Sequence, residues 1–409
     1  MTMDLRSTAR VPGERPTPVP AAAAGPATAP PGGSLPASLP ASLPASRPAP
    51  RDASPRPGAV PPVGDAAPAG LPLGSGRLEF ASLGGFALES GERLASLTVA
   101  YRHDGPGPDE APQVLVVHAL TGSADAAGDW WAPLIGPGRA LDTERHGVLC
   151  ANLLGGRYGT TGPTSRDPAT GRPYGPAFPT VTTRDQARAQ WALLDALGIE
   201  RLALVTGGSL GGMVALEVAL ERPRSVEAVV PIAAPAATGP LAIAWNHLQL
   251  ELIDRLGGDG LRLARQLAMT TYRSEADFGE RFGRRTEPDG RPSVVSYLAH
   301  QGDKLLDRFD VDTYRVLVRA MDGHDIGRDR GGIRSALARL AGAGARLTGI
   351  GIGGDILYGP DQVRALVETA AAAGLPALYR EIESTKGHDA FLVEWAQLTA
   401  LLGEALEGR

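Results

Sequence analysis

From about residue 77 the chain switches between two apolar periods. QVLVVHAL (113–120) and HGVLCANLL (146–154) are continuous apolar runs of strand length, the pattern of strands covered on both faces of a sheet. TTRDQARAQWALLDALGI, from residue 182, instead carries apolar residues three and four apart, and Thr183 with Gln186 has capping-box spacing, which predicts a helix start there. Further along, strands are predicted in RLALVT (201–206), SVEAVVPIA (225–233), ARLTGIGI (345–352) and ALYREIE (377–383), with helices over 210–222, 361–373 and from about 389. Strand and helix in alternation predict an α/β fold with a mostly parallel central sheet.

The alternation breaks in the middle. PLAIAWNHLQLELIDRL, GLRLARQLAMTTY and SVVSYLAHQGDKLLDRF read as successive helices with no strand between them. Residues 234–340 are therefore expected to form a helical cap inserted into a sheet domain made of 71–233 and 341–409. The first 70 residues hold 17 of the 36 prolines and repeat SLPASLPASLPAS at 34–46. Such a composition offers almost nothing to a core, so 1–70 is expected to be a disordered tail.

Composition narrows the function classes. A net charge of −5 with both signs mixed and no basic run argues against nucleic acid and anionic membrane surfaces as partners. No stretch of 18 apolar residues could span a membrane, and no apolar run follows Arg6 and Arg10 to make a secretory signal. Cys150 is the only cysteine, which excludes an intrachain disulfide and leads us to expect a reduced, cytoplasmic setting. No His/Cys/Asp cluster has ligand spacing, so neither a metal nor a bound cofactor is expected. Small molecules are the expected partners.

GGSLGG (207–212) stands where a strand must become a helix. Gly207 and Gly211 around Ser209 make G-x-S-x-G, in which small flanking residues let strand and helix pack closely while the serine is lifted off the sheet edge. A phosphate-binding turn is the other reading, but no Lys-Ser/Thr pair follows the glycines and G-x-G-x-x-G is absent. A serine nucleophile needs a base and an orienting carboxylate, which after a G-x-S-x-G elbow come later in the chain, and both occur on loops after strands: Asp355 after ARLTGIGIGG and His388 in TKGHDAF. His103, His146, His247, His300 and His324 suit ordinary surface or core roles. Two backbone N–H groups should hold the oxyanion, that of Leu210 after the nucleophile and, in HALTG (118–122), that of Leu120. His118 is expected to support that loop.

Several strings together resemble the homoserine O-acetyltransferase family of α/β-hydrolase folds. They are HALTGSAD, WWAPLIGPGRALDT, NLLGGRYGTTGPTS, GGSLGGMVALE, GLRLARQLAMTTYRSEADFGERFGR, SYLAHQGDKLLDRFD, GGDILYGPDQ and GHDAFLVE, and they extend over essentially all of 77–405. The resemblance implies that Ser209 takes an acetyl group from acetyl-CoA as co-substrate, that His388 acts as general base and then acid, and that Asp355 holds the imidazole. A covalent acyl-enzyme and ping-pong kinetics follow. It also implies that Arg265 binds the carboxylate of L-homoserine and Asp389 its ammonium group, with Tyr272 and Arg273 lining the same pocket, and that the protein is a homodimer joined through cap helices.

Three departures from the family pattern stand out. The stretch between WNHLQLELI and GLRLAR is shorter, Leu210 replaces a common methionine, and Arg157 replaces a usual cysteine. Arg157 could meet the carboxylate of a succinyl donor or a phosphate of CoA, or point to solvent. Succinyl-CoA as donor, L-serine as acceptor, and plain hydrolysis by an esterase or thioesterase remain open alternatives; a binding protein on an inactive fold does not fit an intact Ser209, Asp355 and His388.

Overall fold

The structure, a computed structural model, describes residues 71–408. The stretch expected to be a disordered tail lies outside the described residues. Eight strands form one sheet in the order β1 (Leu78–Ser82), β4 (Thr98–Asp104), β6 (Gly147–Ala151), β5 (Gln113–Val117), β7 (Leu204–Gly208), β8 (Ala228–Ile232), β9 (Arg346–Ile352) and β10 (Ala377–Ile382). The six from β6 to β10 are parallel, whereas β4 runs antiparallel to both β1 and β6. Two short strands, β2 (Phe86–Ala87) and β3 (Arg93–Leu94), pair separately.

The apolar runs are fully buried because each face of the sheet feeds a different core. Leu115, Val117, Leu149, Val205 and Val229 face a core shared with α1 (Thr183–Ala196) and α2 (Leu210–Glu221), while Val114, Val116, Cys150, Val230 and Ile350 face one closed by Trp131 and by Leu398 and Leu402 of α10 (Trp395–Glu407). Period-two alternation is hidden in the sequence because both faces are apolar.

Chain direction explains the site's location. From β5 the chain first adds β6 on one side and then returns to add β7 on the other, so the loops after β5 and β7 diverge at a topological switch point. Val117 pairs in register with Gly207, which brings Leu120 and Ser209 out from neighbouring strand ends.

Two sequence expectations shift. Helix α1 is capped one residue earlier than predicted: Thr182 is the N-cap and Asp185, not Gln186, completes the capping box. Gln186 lies buried and donates from Nε2 to Leu154 O. The insertion comprises α3 (Pro240–Leu256), α4 (Gly258–Tyr272), α5 (Glu275–Phe282), α6 (Ser293–Leu306) and α7 (Val311–Asp322). The next helix, α8 (Ile333–Ala343), packs instead on α2 and on α9 (Pro360–Ala372), so it flanks the sheet, and the boundary expected at 341 falls inside it. The shortened stretch in the cap, 254–259, is the end of α3 and the start of α4, joined through Gly257 alone with φ 58°.

Candidate active site

Ser209 sits between β7 and α2 with φ 58° and ψ −126°, a region that residues other than glycine seldom enter. Such strain persists only where the surroundings over-determine it. Here they do: the Ser209 N–H donates to Ile232 O at 2.9 Å, and a methyl on either Gly207 or Gly211 would overlap the Val117 carbonyl. Strand and helix therefore cross at glycine-only separation, and the serine has no other way to turn.

Asp355 and His388 come together although 33 residues apart. Asp355 Oδ2 accepts from His388 Nδ1 at 2.7 Å, and Asp355 Oδ1 accepts from the N–H groups of Leu357 (2.8 Å) and Tyr358 (3.1 Å). The carboxylate is thus pinned by two backbone donors, and the imidazole must present Nε2 as its free nitrogen. That Nε2 is buried without a hydrogen-bond partner among the described residues. Burial alone would push the His388 pKa down, but the charge and hydrogen bond of Asp355, with the charge of Asp389 added, raise it above the ordinary imidazole value. The rings of Tyr358, Phe391 and Tyr272 surround His388 at 5.5–5.9 Å. Phe391 also fills the space where a Gly208 side chain would be, which ties the histidine turn to the serine turn. Ser209, Asp355 and His388 are 5%, 4% and 3% exposed, a nearly dry setting in which charge interactions are strong.

Leu210 heads α2, so its N–H points out of the helix N-terminus beside Ser209. Leu120 lies on the loop after β5, and among the described residues its N–H makes no hydrogen bond. His118 braces this loop: Nδ1 donates to Ala119 O at 2.8 Å and Nε2 accepts from Leu153 N at 3.0 Å, a neutral tautomer consistent with a pKa lowered by burial to about 4. From the cap, Arg308 donates to Thr121 O at 2.9 Å and lies within 3.3 Å of Thr121 Oγ1. That bridge is not legible in the sequence, because Arg308 is separated from Thr121 by 187 residues.

The three acceptor-site candidates also meet. The Arg265 guanidinium lies 5.2 Å from the Tyr272 ring centre, and the charges of both Arg265 and Asp389 act on the Tyr272 hydroxyl. Burial raises the Tyr272 pKa, so the phenol stays neutral. Asp389 is not a bare carboxylate: Arg273 Nε approaches its Oδ2 at 3.0 Å. Arg157 Nη1 pairs with Asp310 Oδ2 at 2.7 Å, with both side chains about a third exposed. The remaining histidines that the structure explains are structural: His103 bonds Gly74 N and Gln113, and His324 bridges Thr183 and Pro235 O. Two shallow surface depressions, lined by Arg380 and Glu404 and by Arg222 and Arg339, contain none of the site residues. Among the described residues no group of three or more His, Cys, Asp or Glu could hold a metal ion, and no helix is long and apolar enough to cross a membrane.

A serine on a strained strand-to-helix turn at a sheet edge, with a buried Asp–His pair on later loops of the same edge, defines the α/β-hydrolase class. Residues 112–313 match the family described as alpha/beta hydrolase fold, a stretch that holds Ser209 and ends before Asp355. Homoserine O-acetyltransferase from Moorella thermoacetica is 44% identical over 345 residues, covering 77% of this chain and 91% of that relative. The solved homoserine O-acetyltransferase from Staphylococcus aureus superposes with a TM-score of 0.68 at 31% identity, over 80% of this chain and 94% of that one. An acetylester hydrolase from Corynebacterium glutamicum shares the fold, with a TM-score of 0.70 at 24% identity over 81% and 96% of the two chains. The chain belongs to the homoserine O-acetyltransferase family.

Proposed function

We propose that the protein transfers an acetyl group from acetyl-CoA to the hydroxyl of L-homoserine, a step of methionine biosynthesis, through a Ser209 acyl-enzyme. His388 Nε2 takes the Ser209 proton as Oγ attacks the thioester carbonyl. The N–H groups of Leu120 and Leu210 hold the oxyanion, and the proton passes to the departing CoA thiolate. Homoserine then enters, His388 removes its hydroxyl proton, the oxygen attacks the acyl-serine, and the proton returns to Ser209 Oγ. Asp355 keeps Nδ1 protonated throughout and stabilises the imidazolium.

The observation that carries this reading is the placing of Arg265 beside Tyr272, whose ring lies 5.9 Å from that of His388, with Asp389 next to that histidine in the chain. A zwitterionic acceptor needs one fixed cation and one fixed anion, whereas water as acceptor needs neither. For Asp389 to take the ammonium group, the substrate must share or displace Arg273. Acetyl rather than succinyl transfer is supported by Arg157, whose charge Asp310 already neutralises. The reading includes acetyl-CoA as co-substrate with no resident cofactor, and a cytoplasmic enzyme. It also includes a homodimer through the cap, where Leu241, Leu248, Leu256, Leu263, Val295 and Leu306 are exposed on α3, α4 and α6.

The test is thiol release from acetyl-CoA with and without L-homoserine, beside Ser209→Ala. Homoserine-dependent release that vanishes in the variant is expected. Equal release without any amino acid would make water the acceptor, the hydrolase outcome that the shared fold of the acetylester hydrolase keeps in view.

A further inference from the structure

One guanidinium lies between two carboxylates where the cap meets the turn that carries His388. The corner between α4 and α5, residues 272–274, runs so close to residues 386–389 that a methyl on Gly387 would overlap the backbone of Tyr272 and Ser274. Ser274 Oγ accepts from Asp277 N at 3.1 Å and donates to Thr385 O, which stitches the corner to the turn. Asp277, only 1% exposed, accepts at Oδ1 from Lys386 Nζ at 2.9 Å. Its Oδ2 is buried and has no hydrogen-bond partner among the described residues. A buried carboxylate oxygen left in that state is costly and calls for a partner.

Arg273 is placed to be that partner and is turned elsewhere. Its Nη1 stops 3.6 Å from Asp277 Oδ2, while its Nε lies 3.0 Å from Asp389 Oδ2 without the alignment of a hydrogen bond. Arg281, at 3.9 Å from the same Asp277 oxygen, is held over the rings of Phe282 and Tyr297. We propose that Arg273 is a movable counter-ion that makes the site selective for acceptors with an ammonium group: it covers Asp389 while the acceptor site is empty and closes on Asp277 Oδ2 when the ammonium takes its place. The exchange replaces one cation by another, so Asp389 is never left unpaired in a partly buried site. Closing from 3.6 Å to the roughly 2.8 Å of a charge-assisted bond needs only a small side-chain rotation. An acceptor without a cationic group has nothing with which to displace Arg273. The proposal deepens the transferase reading and rests on it, with Asp389 as the ammonium's partner.

The experiment measures kcat and KM for L-homoserine in wild type, Asp277→Asn and Arg273→Met. Acylation is followed separately by the burst of p-nitrophenol from p-nitrophenyl acetate, which needs no acceptor amino acid. Asp277→Asn keeps an oxygen on Lys386 and puts an NH2 where Oδ2 faced Arg273. It is expected to leave the burst unchanged and to raise the KM for homoserine roughly tenfold, as for the loss of one bond to a charged group. Arg273→Met removes the competing cation and should lower that KM about threefold, the scale of a partly exposed ion pair. Changes of the same sign in both variants, no change in either, or a burst that falls in Asp277→Asn would overturn the proposal. If a variant does not fold, crystals of Ser209→Ala with and without homoserine decide: Arg273 is expected on Asp277 only in the complex, and an unmoved Arg273 would sink the idea. A wild-type enzyme that gives the burst but no homoserine-dependent thiol release would instead overturn the transferase reading and take this proposal with it.

Discussion

Replacing Asp355 with asparagine leaves the shape of the site almost unchanged and inverts one hydrogen bond. Asp355 Oδ1 accepts from two backbone N–H groups, at 2.8 and 3.1 Å, and Oδ2 from His388 Nδ1 at 2.7 Å. In Asp355→Asn the amide can satisfy both backbone donors only by keeping its oxygen on them, which turns its NH2 toward Nδ1. The flipped amide would orphan two buried N–H groups, at about 1–3 kcal/mol each. Moving the proton of a neutral imidazole from Nδ1 to Nε2 costs far less, so the tautomer changes. Nε2 is then already protonated and cannot accept the Ser209 proton. The expected loss in the acylation rate is on the order of 10⁴-fold, equivalent to about 5.5 kcal/mol of barrier. The p-nitrophenol burst measures it, and nitrogen-15 shifts of the His388 ring read the tautomer. A loss below about tenfold, or a ring still protonated at Nδ1, would refute the reasoning.

Three further predictions follow from the same geometry. Ser209→Gly and Ser209→Ala should both abolish the burst, yet the glycine variant should be the more stable by about 1 kcal/mol, or a Tm higher by roughly 2 °C, because only glycine is relaxed at φ 58°; equal Tm values would show that the turn stores no strain. Gly211→Ala should cost about 3 kcal/mol or prevent folding, since its methyl would meet the backbone of Val117, whereas Gly403→Ala in α10, with nothing within 4 Å, should gain roughly 0.5–1 kcal/mol in urea unfolding. The acid limb of the burst rate should have its midpoint above the ordinary imidazole value of 6.5, because His388 must be neutral to act and its pKa is raised; the same raised value means that its contribution to stability is complete below 6.5 and is lost as pH rises through the folded pKa. A midpoint below 6.5 would mean that burial outweighs Asp355.

What could be read from the chain alone was whatever local chemistry dictates. The two-sided apolar runs declared a covered sheet, and glycines spaced around Ser209 declared a tight strand-to-helix turn. Asp355 and His388 followed strands in the order that goes with a G-x-S-x-G elbow. Even near neighbours slipped where two residue types compete: Thr182 with Asp185 caps α1 in place of Thr183 with Gln186, because a carboxylate accepts the N-cap's backbone and side-chain donors at once. The reach of the sheet domain into α8 depended on which surface that amphipathic helix covers, and its own sequence does not say.

Contacts across the cap were beyond the sequence for a plainer reason. Whether Arg157 meets a ligand or Asp310, whether Asp389 is bare or faces Arg273, and that Arg308 grips the loop of Leu120 are all pairings between long side chains distant along the chain. A charged residue carries no mark of its partner, and only the close packing of cap on sheet selects one. Local backbone requirements are written in residue types; the assignment of one buried charge to another is made by the tertiary fold.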